Sequence, residues 1–134
     1  MTPQMTTPAA ETVVHEVLDR WKDAVDHHDP QRVASVFTED AVFQGTHPYT
    51  VGRAGVVEYY DSQPLGMTAH YQVLQTRNLA ADLILGFLDV DFAYTDRPTL
   101  SVKLGVLLRR GADGWSIAHY QVSQQVSQLE AGSA

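Results

Sequence analysis

The second half of this 134-residue chain is built from four runs rich in β-branched, aromatic and aliphatic residues, and they constrain its fold more than anything else in the sequence. They lie at about Thr68–Arg77, Asp82–Tyr94, Leu100–Arg110 and Trp115–Gln124. The connections Asn78–Ala81, Thr95–Pro98 and Gly111–Gly114 are too short for the crossovers that parallel neighbours require. The runs therefore read as an antiparallel meander. In the third run, Leu100, Val102, Leu104, Val106 and Leu108 share one face, and Ser101, Lys103, Gly105 and Leu107 the other. In the second run both faces are apolar, Ile84, Leu88, Val90 and Phe92 against Leu83, Leu85 and Phe87. One layer of helices covers one face of a sheet, so the second face is expected to pack on another copy, as a homodimer.

The first half reads as helical. Val14, Val17, Leu18, Trp21, Ala24 and Val25 recur at three-and-four spacing, in a helix predicted to start at Thr7-Pro8 and to stop near His27-His28. Asp29-Pro30 supplies a cap and a first-turn proline for a second helix burying Val33, Val36 and Phe37. A short strand is predicted over Ala41–Phe43, then a loop over Gly45–Gly52 and a third helix over Arg53–Ser62 carrying Val56, Val57 and Tyr60. The fold class is α+β. One domain is expected over residues 8–126, between flexible tails at 1–7 and 127–134.

Several functions are disfavoured by what the chain lacks. Nine basic against 16 acidic residues give a net charge of −7, and the single basic doublet, Arg109-Arg110, is no phosphate-tracking surface, so nucleic acid is not an expected partner. There is no cysteine, hence no disulfide or thiolate chemistry. No His-x-x-x-His spacing with a third ligand and no glycine-rich phosphate loop occurs, so no metal and no cofactor are expected. The longest apolar stretch, Leu83–Leu88, is too short to cross a bilayer, and the N-terminus has no basic-then-apolar leader. No membrane partner and a cytoplasmic location are expected.

Particular segments carry a resemblance. Trp21-Lys22-Asp23-Ala24 leading to His28-Asp29, Phe37-Thr38-Glu39-Asp40-Ala41-Val42-Phe43, Gly52-Arg53-Ala54-Gly55-Val56 and Asp113-Gly114-Trp115-Ser116-Ile117-Ala118-His119 resemble recurrent segments of the nuclear transport factor 2-like, or SnoaL-like, superfamily. The pattern is most similar to the SgcJ/EcaC-type proteins of enediyne biosynthetic clusters. The resemblance implies a cone-shaped barrel, a curved antiparallel sheet wrapped around three helices. Fold alone decides no chemistry, because the superfamily includes ketosteroid isomerase, scytalone dehydratase and polyketide cyclases beside purely associative domains. The isomerase's proton machinery is absent here: its helical Tyr falls on Trp21, its base on Gly45 and its second acid on Gly105, and only Tyr60 is retained.

What the resemblance implies instead is an apolar, ligand-binding hollow. Its walls would be Trp21, Phe43 and Tyr60, with Tyr71 and Val73, then Leu88, Val90 and Phe92, and finally Ala118, Tyr120 and Val122. Gly45, Gly86 and Gly105 would enlarge it. The expected guest is a hydrophobic, polyketide-like molecule, with Tyr60, Tyr120 or His119 as proton donors if bonds are made or broken. Strand parity turns His119 outward if Ala118 and Tyr120 face in, unless a β-bulge intervenes. The same parity sends His70, Asp89 and Asp91 outward. Three roles are therefore on the table. The chain is an accessory protein assisting cyclisation or isomerisation, a non-catalytic carrier docking an acyl carrier protein, or a homodimerisation module whose cone is filled by its own side chains.

Overall fold

The computed structural model describes residues 9–124. The apolar stripe of the first helix, α1 (Ala10–Asp26), is buried along its length from Val13 to Val25. Its N-cap is Ala9, which makes no side-chain cap, and the start expected at Thr7-Pro8 lies outside the described residues. A missing cap costs about 1 kcal/mol, whereas each fully buried Val or Leu contributes roughly 1.5–3 kcal/mol, so packing rather than capping fixes α1. In α2 (Pro30–Ser35) the predicted start holds: Asp29 accepts from the backbone N–H of Arg32, and Pro30 opens the first turn. Phe37, expected on that helix, instead begins β1 (Phe37–Gln44), which is longer than the predicted strand. A two-residue strand, β2 (Thr50–Val51), folds back on it before α3 (Arg53–Asp61).

The four predicted runs form β3 (Thr68–Ala80), β4 (Leu83–Ala93), β5 (Leu100–Gly111) and β6 (Gly114–Ser123), paired antiparallel in sequence order. The sheet order is β2-β1-β6-β5-β4-β3, and β1 runs parallel to β6. The sheet is thus curved and mixed rather than antiparallel throughout. Pairing β1 with β6 brings Phe43 beside Tyr120, and so carries the N-terminal half onto the far end of the meander. The helices cover one face. Alternation along β4 and β5 is as the sequence predicts: Ile84, Leu88, Val90, Phe92, Val102, Leu104, Val106 and Leu108 are buried beneath the helices, while Leu85 and Phe87 are about 40% exposed on the other face.

In β6 the alternation changes phase. Leu107 pairs with His119 but Leu108 pairs with Ile117, which leaves Ala118 as the extra residue of a β-bulge. Ile117 and Tyr120 consequently both point inward and are fully buried.

Candidate functional site

The centre of the cone is a cluster of aromatic side chains held by two hydrogen bonds. Trp21 on α1 donates its Nε1–H to the Tyr60 hydroxyl on α3 at 3.1 Å, and that hydroxyl donates to the hydroxyl of Tyr120 on β6 at 3.2 Å. Tyr120 stacks on Phe43, with ring centroids 4.7 Å apart and planes 22° from parallel, and Phe37 and Trp21 close its sides at 5.8 and 6.0 Å. Phe92 meets Trp21 edge-on at 6.1 Å. Trp21, Phe43, Tyr60, Leu88, Val90, Phe92 and Tyr120 are all buried, and the fold brings them together from three strands and two helices.

The cluster contains one hydrogen too many. Trp21 N–H, Tyr60 O–H and Tyr120 O–H are three donors, the network makes two bonds, and Tyr120 has no acceptor for its own proton among the described residues. Burial pushes the Tyr60 hydroxyl well above its ordinary pKa, with the Tyr120 hydrogen bond opposing. Burial, reinforced by neighbouring Tyr60, raises Tyr120 as well. Both are therefore neutral phenols at ordinary pH, which donate hydrogen bonds and do not act as bases. Among the described residues no charged or amide side chain is buried beside them.

The expected hollow is filled. Each of the three glycines credited with enlarging it does something else. A Cβ on Gly45 would lie 2.6 Å from Cζ of Tyr59, so the ring of Tyr59 occupies that space. One on Gly86 would meet Val106 at 3.1 Å and Val14 at 3.4 Å, so that glycine lets α1 approach the sheet. Gly105 follows inward-facing Leu104 and looks out from the opposite face, where a Cβ would meet nothing within 4 Å. What remains is a gap of about 10 Å³ at the mouth, between Tyr59, Tyr60, the half-buried amide of Gln63, Met67, Phe92, Tyr94 and Leu100, room for about one water. The mouth is closed by the turn after α3, where Gly66 (φ +85°) rests against Thr95 on the β4–β5 turn, 2.9 Å from the position of a would-be Cβ to Thr95 Cγ2.

Several predicted site residues lie outside this cluster. Tyr71 and Val73 are on the helix-covered face but at the flank. The Tyr71 hydroxyl donates to Asp19 and lies 3.0 Å from His15 Nδ1, so it braces α1 against β3. Burial, then the hydrogen bond to Asp19, pushes that phenol up too. Ala118 sits at the bulge and is no regular wall residue; Val122 is half-buried against the core. His119 pairs opposite Leu107 on the outer face, with Nε2 3.3 Å from Gln121 Oε1. The bulge that would have turned it inward falls one residue before it and turns Ile117 inward instead. His119 is therefore removed from the set of donors, since the sheet separates it from Tyr60 and Tyr120. His70, Asp89 and Asp91 also lie on the outer face, with Gln72, Ser101 and Lys103 around a groove of about 520 Å³; Lys103 is paired with Asp89.

Phe37, Tyr59 and Tyr94 belong to the site and were not among the expected residues. Tyr59 directly precedes Tyr60, and the adjacent pair on a short helix is the sequence signal that two neighbouring faces of α3 are both engaged. Among the described residues no group of three or more His, Asp or Glu side chains is placed to hold a metal ion. No described helix is long and apolar enough to cross a membrane.

A family model described as a SnoaL-like domain matches residues 14–127. No curated protein matches the sequence significantly. Among solved structures, the chain is similar to a domain of unknown function with a cystatin-like fold from Nostoc punctiforme, at 17% identity and a TM-score of 0.80 over 94% of this chain and 83% of that one. It is similar also to a ketosteroid isomerase-like protein from Erwinia carotovora atroseptica, at 22% identity and a TM-score of 0.74 over 87% of this chain and 96% of that one. An NTF2-like protein of unknown function from Shewanella oneidensis gives 12% identity and a TM-score of 0.75, over 87% of this chain and all of the other. At such identities the likeness concerns the fold.

Proposed function

The chain belongs to the SnoaL-like domain family, and we propose that within it this protein binds a hydrophobic, carbonyl-bearing small molecule of the polyketide-like kind, without a cofactor, against Tyr60 and Tyr120. The observation that carries the reading is the unmatched phenolic hydrogen of Tyr120. A buried donor without an acceptor costs about 1–3 kcal/mol, and phenylalanine at position 120 would only pass the unmatched hydrogen to Tyr60. A carbonyl oxygen is the group that would satisfy it while leaving the rest of a guest in contact with Phe43, Phe92 and Trp21. The guest would enter at the mouth, by parting the Gly66 turn from Thr95 and displacing Met67 and Leu100 from the small gap.

Chemically, two linked neutral phenols aimed at a carbonyl in a water-poor interior stabilise charge that develops on its oxygen, as in enolisation or aldol-type ring closure. No side chain buried beside them is suited to remove a proton from carbon. The protein's own contribution is then to hold the chain of a reactive intermediate and polarise its carbonyl, and cyclisation is assisted rather than driven by an enzyme base. The narrower likeness to SgcJ/EcaC-type proteins is what favours a polyketide over other apolar carbonyl compounds. Leu85 and Phe87, exposed on the outer face, support a second copy of the chain packed through the sheet.

A second reading, a homodimerisation module, is favoured by the filled interior. Thermal denaturation with an apolar aryl ketone, α-tetralone, separates the two. The binding reading expects a concentration-dependent rise in Tm, with affinity about tenfold weaker in Tyr120→Phe, the equivalent of one lost hydrogen bond. No shift with α-tetralone or longer aryl ketones would leave the filled-core module standing.

A further inference from the structure

Beside the cone lies a cleft of about 250 Å³ between the loop that follows β1 and the outer side of α3, lined by Phe43, His47, Pro48, Thr50, Glu58 and Tyr59. We infer that this cleft is a second compartment of the same binding site, taking a hydroxyl or amino substituent on the ring of a guest whose carbonyl lies at Tyr120. The inference rests on the carbonyl-binding reading above and adds the chemistry of the guest's other end.

Three observations support it. Tyr59 lines both the cleft and the inner gap, so its ring is the partition between them. That ring is lodged where Gly45 has no side chain, and its hydroxyl is tethered only to the exposed loop residue Thr46, 3.3 Å from the backbone N and 3.0 Å from Oγ1. Turning Tyr59 out of this seat would join the two spaces, at the loss of both contacts to Thr46 and of the ring's edge-on packing on Phe43 and Tyr60. Thr50, on the cleft's rim, turns its Oγ1 against Gly55 of α3, where a Cβ would lie 2.2 Å from it, and so leaves the polar contact of a guest to Glu58.

The charge pattern then selects the substituent. Glu58 forms no salt bridge or side-chain hydrogen bond among the described residues, and no Lys or Arg lines the cleft. A carboxylate without a cation prefers a ligand donor, O–H or N–H, and repels an anionic group. The ring faces of Tyr59 and His47, 5.1 Å apart at 69°, offer edge and face contacts to a planar ring. A hydroxylated or aminated aromatic ketone therefore suits the joined site, and an acidic one does not.

The test compares α-tetralone with its ring-hydroxylated and ring-carboxylated analogues by titration calorimetry on wild type and Glu58→Gln. Glu58 is on the exposed side of α3, so Glu58→Gln will fold. The expected result is hydroxy-α-tetralone binding about fivefold tighter than α-tetralone and the carboxylate binding more weakly than either. Glu58→Gln should erase most of that ranking. If α-tetralone binds and the three compounds are equivalent, the cleft plays no part and the interior site survives alone. If none of the three binds, the interior reading fails and takes the second compartment with it.

Discussion

Replacing Tyr60 and Tyr120 by phenylalanine, singly and together, reads the donor count of the core directly. In the wild type, three donors make two bonds and one hydrogen is unmatched. Tyr120→Phe leaves one bond, Trp21 to Tyr60, and passes the unmatched hydrogen to Tyr60, a net loss of one bond or about 1 kcal/mol. Tyr60→Phe removes both bonds and leaves two hydrogens unmatched, on Trp21 and Tyr120, which costs about 3 kcal/mol. The double variant also lacks both bonds but has a single unmatched hydrogen, on Trp21, so it should lose only about 2 kcal/mol. The second substitution therefore changes sign with background: Tyr120→Phe destabilises wild type by about 1 kcal/mol and stabilises Tyr60→Phe by about the same. Urea unfolding followed by tryptophan fluorescence gives all four stabilities, since Trp21 is fully buried in the network. Equal destabilisation by Tyr120→Phe in both backgrounds would refute the count, and with it the unmatched hydrogen on which the carbonyl reading rests.

Other consequences are simpler to check. Both core phenols titrate above their unfolded value of about 10, so stability should be level below that pH and fall as pH rises past it, with a smaller fall in the Tyr60→Phe/Tyr120→Phe variant; an unchanged alkaline limb would show that burial does not hold these protons. A Cβ on Gly66 would stand 3.9 Å from Thr95 Cβ, within the roughly 3.5–4.5 Å range of a disulfide. The chain has no cysteine of its own, so oxidised Gly66→Cys/Thr95→Cys should slow α-tetralone entry more than about tenfold, reversibly on reduction, despite a strain of about 1–2 kcal/mol at positive φ; equal entry in both redox states would place the door elsewhere. Phe87→Lys on the outer face should convert a sedimenting dimer to monomer, and a wild-type monomer would remove the second copy.

Which parts of this were legible in the sequence follows from which interactions are local. The strands and their inward faces were, because Val102, Leu104, Val106 and Leu108 alternate without interruption, and period-two alternation is a property of each strand alone. The parallel pairing of β1 with β6 was not, because it joins residues more than seventy positions apart and leaves no local mark on either. The bulge at Ala118 did leave a mark. Trp115 and Ile117 keep one parity and Tyr120 and Val122 the other, so the apolar phase shifts by one between them. Carrying a single parity through this break is what placed Ala118 on the wall. The filled interior was hidden for a different reason: a glycine frees space only if nothing packs into it, and Tyr59 and Val14 reach Gly45 and Gly86 from distant parts of the chain.

The most direct measurement is a crystal structure of the protein grown with saturating α-tetralone. The ketone is expected inside the cone, its oxygen within hydrogen-bond reach of the Tyr120 or Tyr60 hydroxyl, about 2.5–3.0 Å, with Met67 and Leu100 displaced. A core still packed by Phe43, Tyr60, Phe92 and Tyr120 alone, with no ketone among them at saturation, would contradict it.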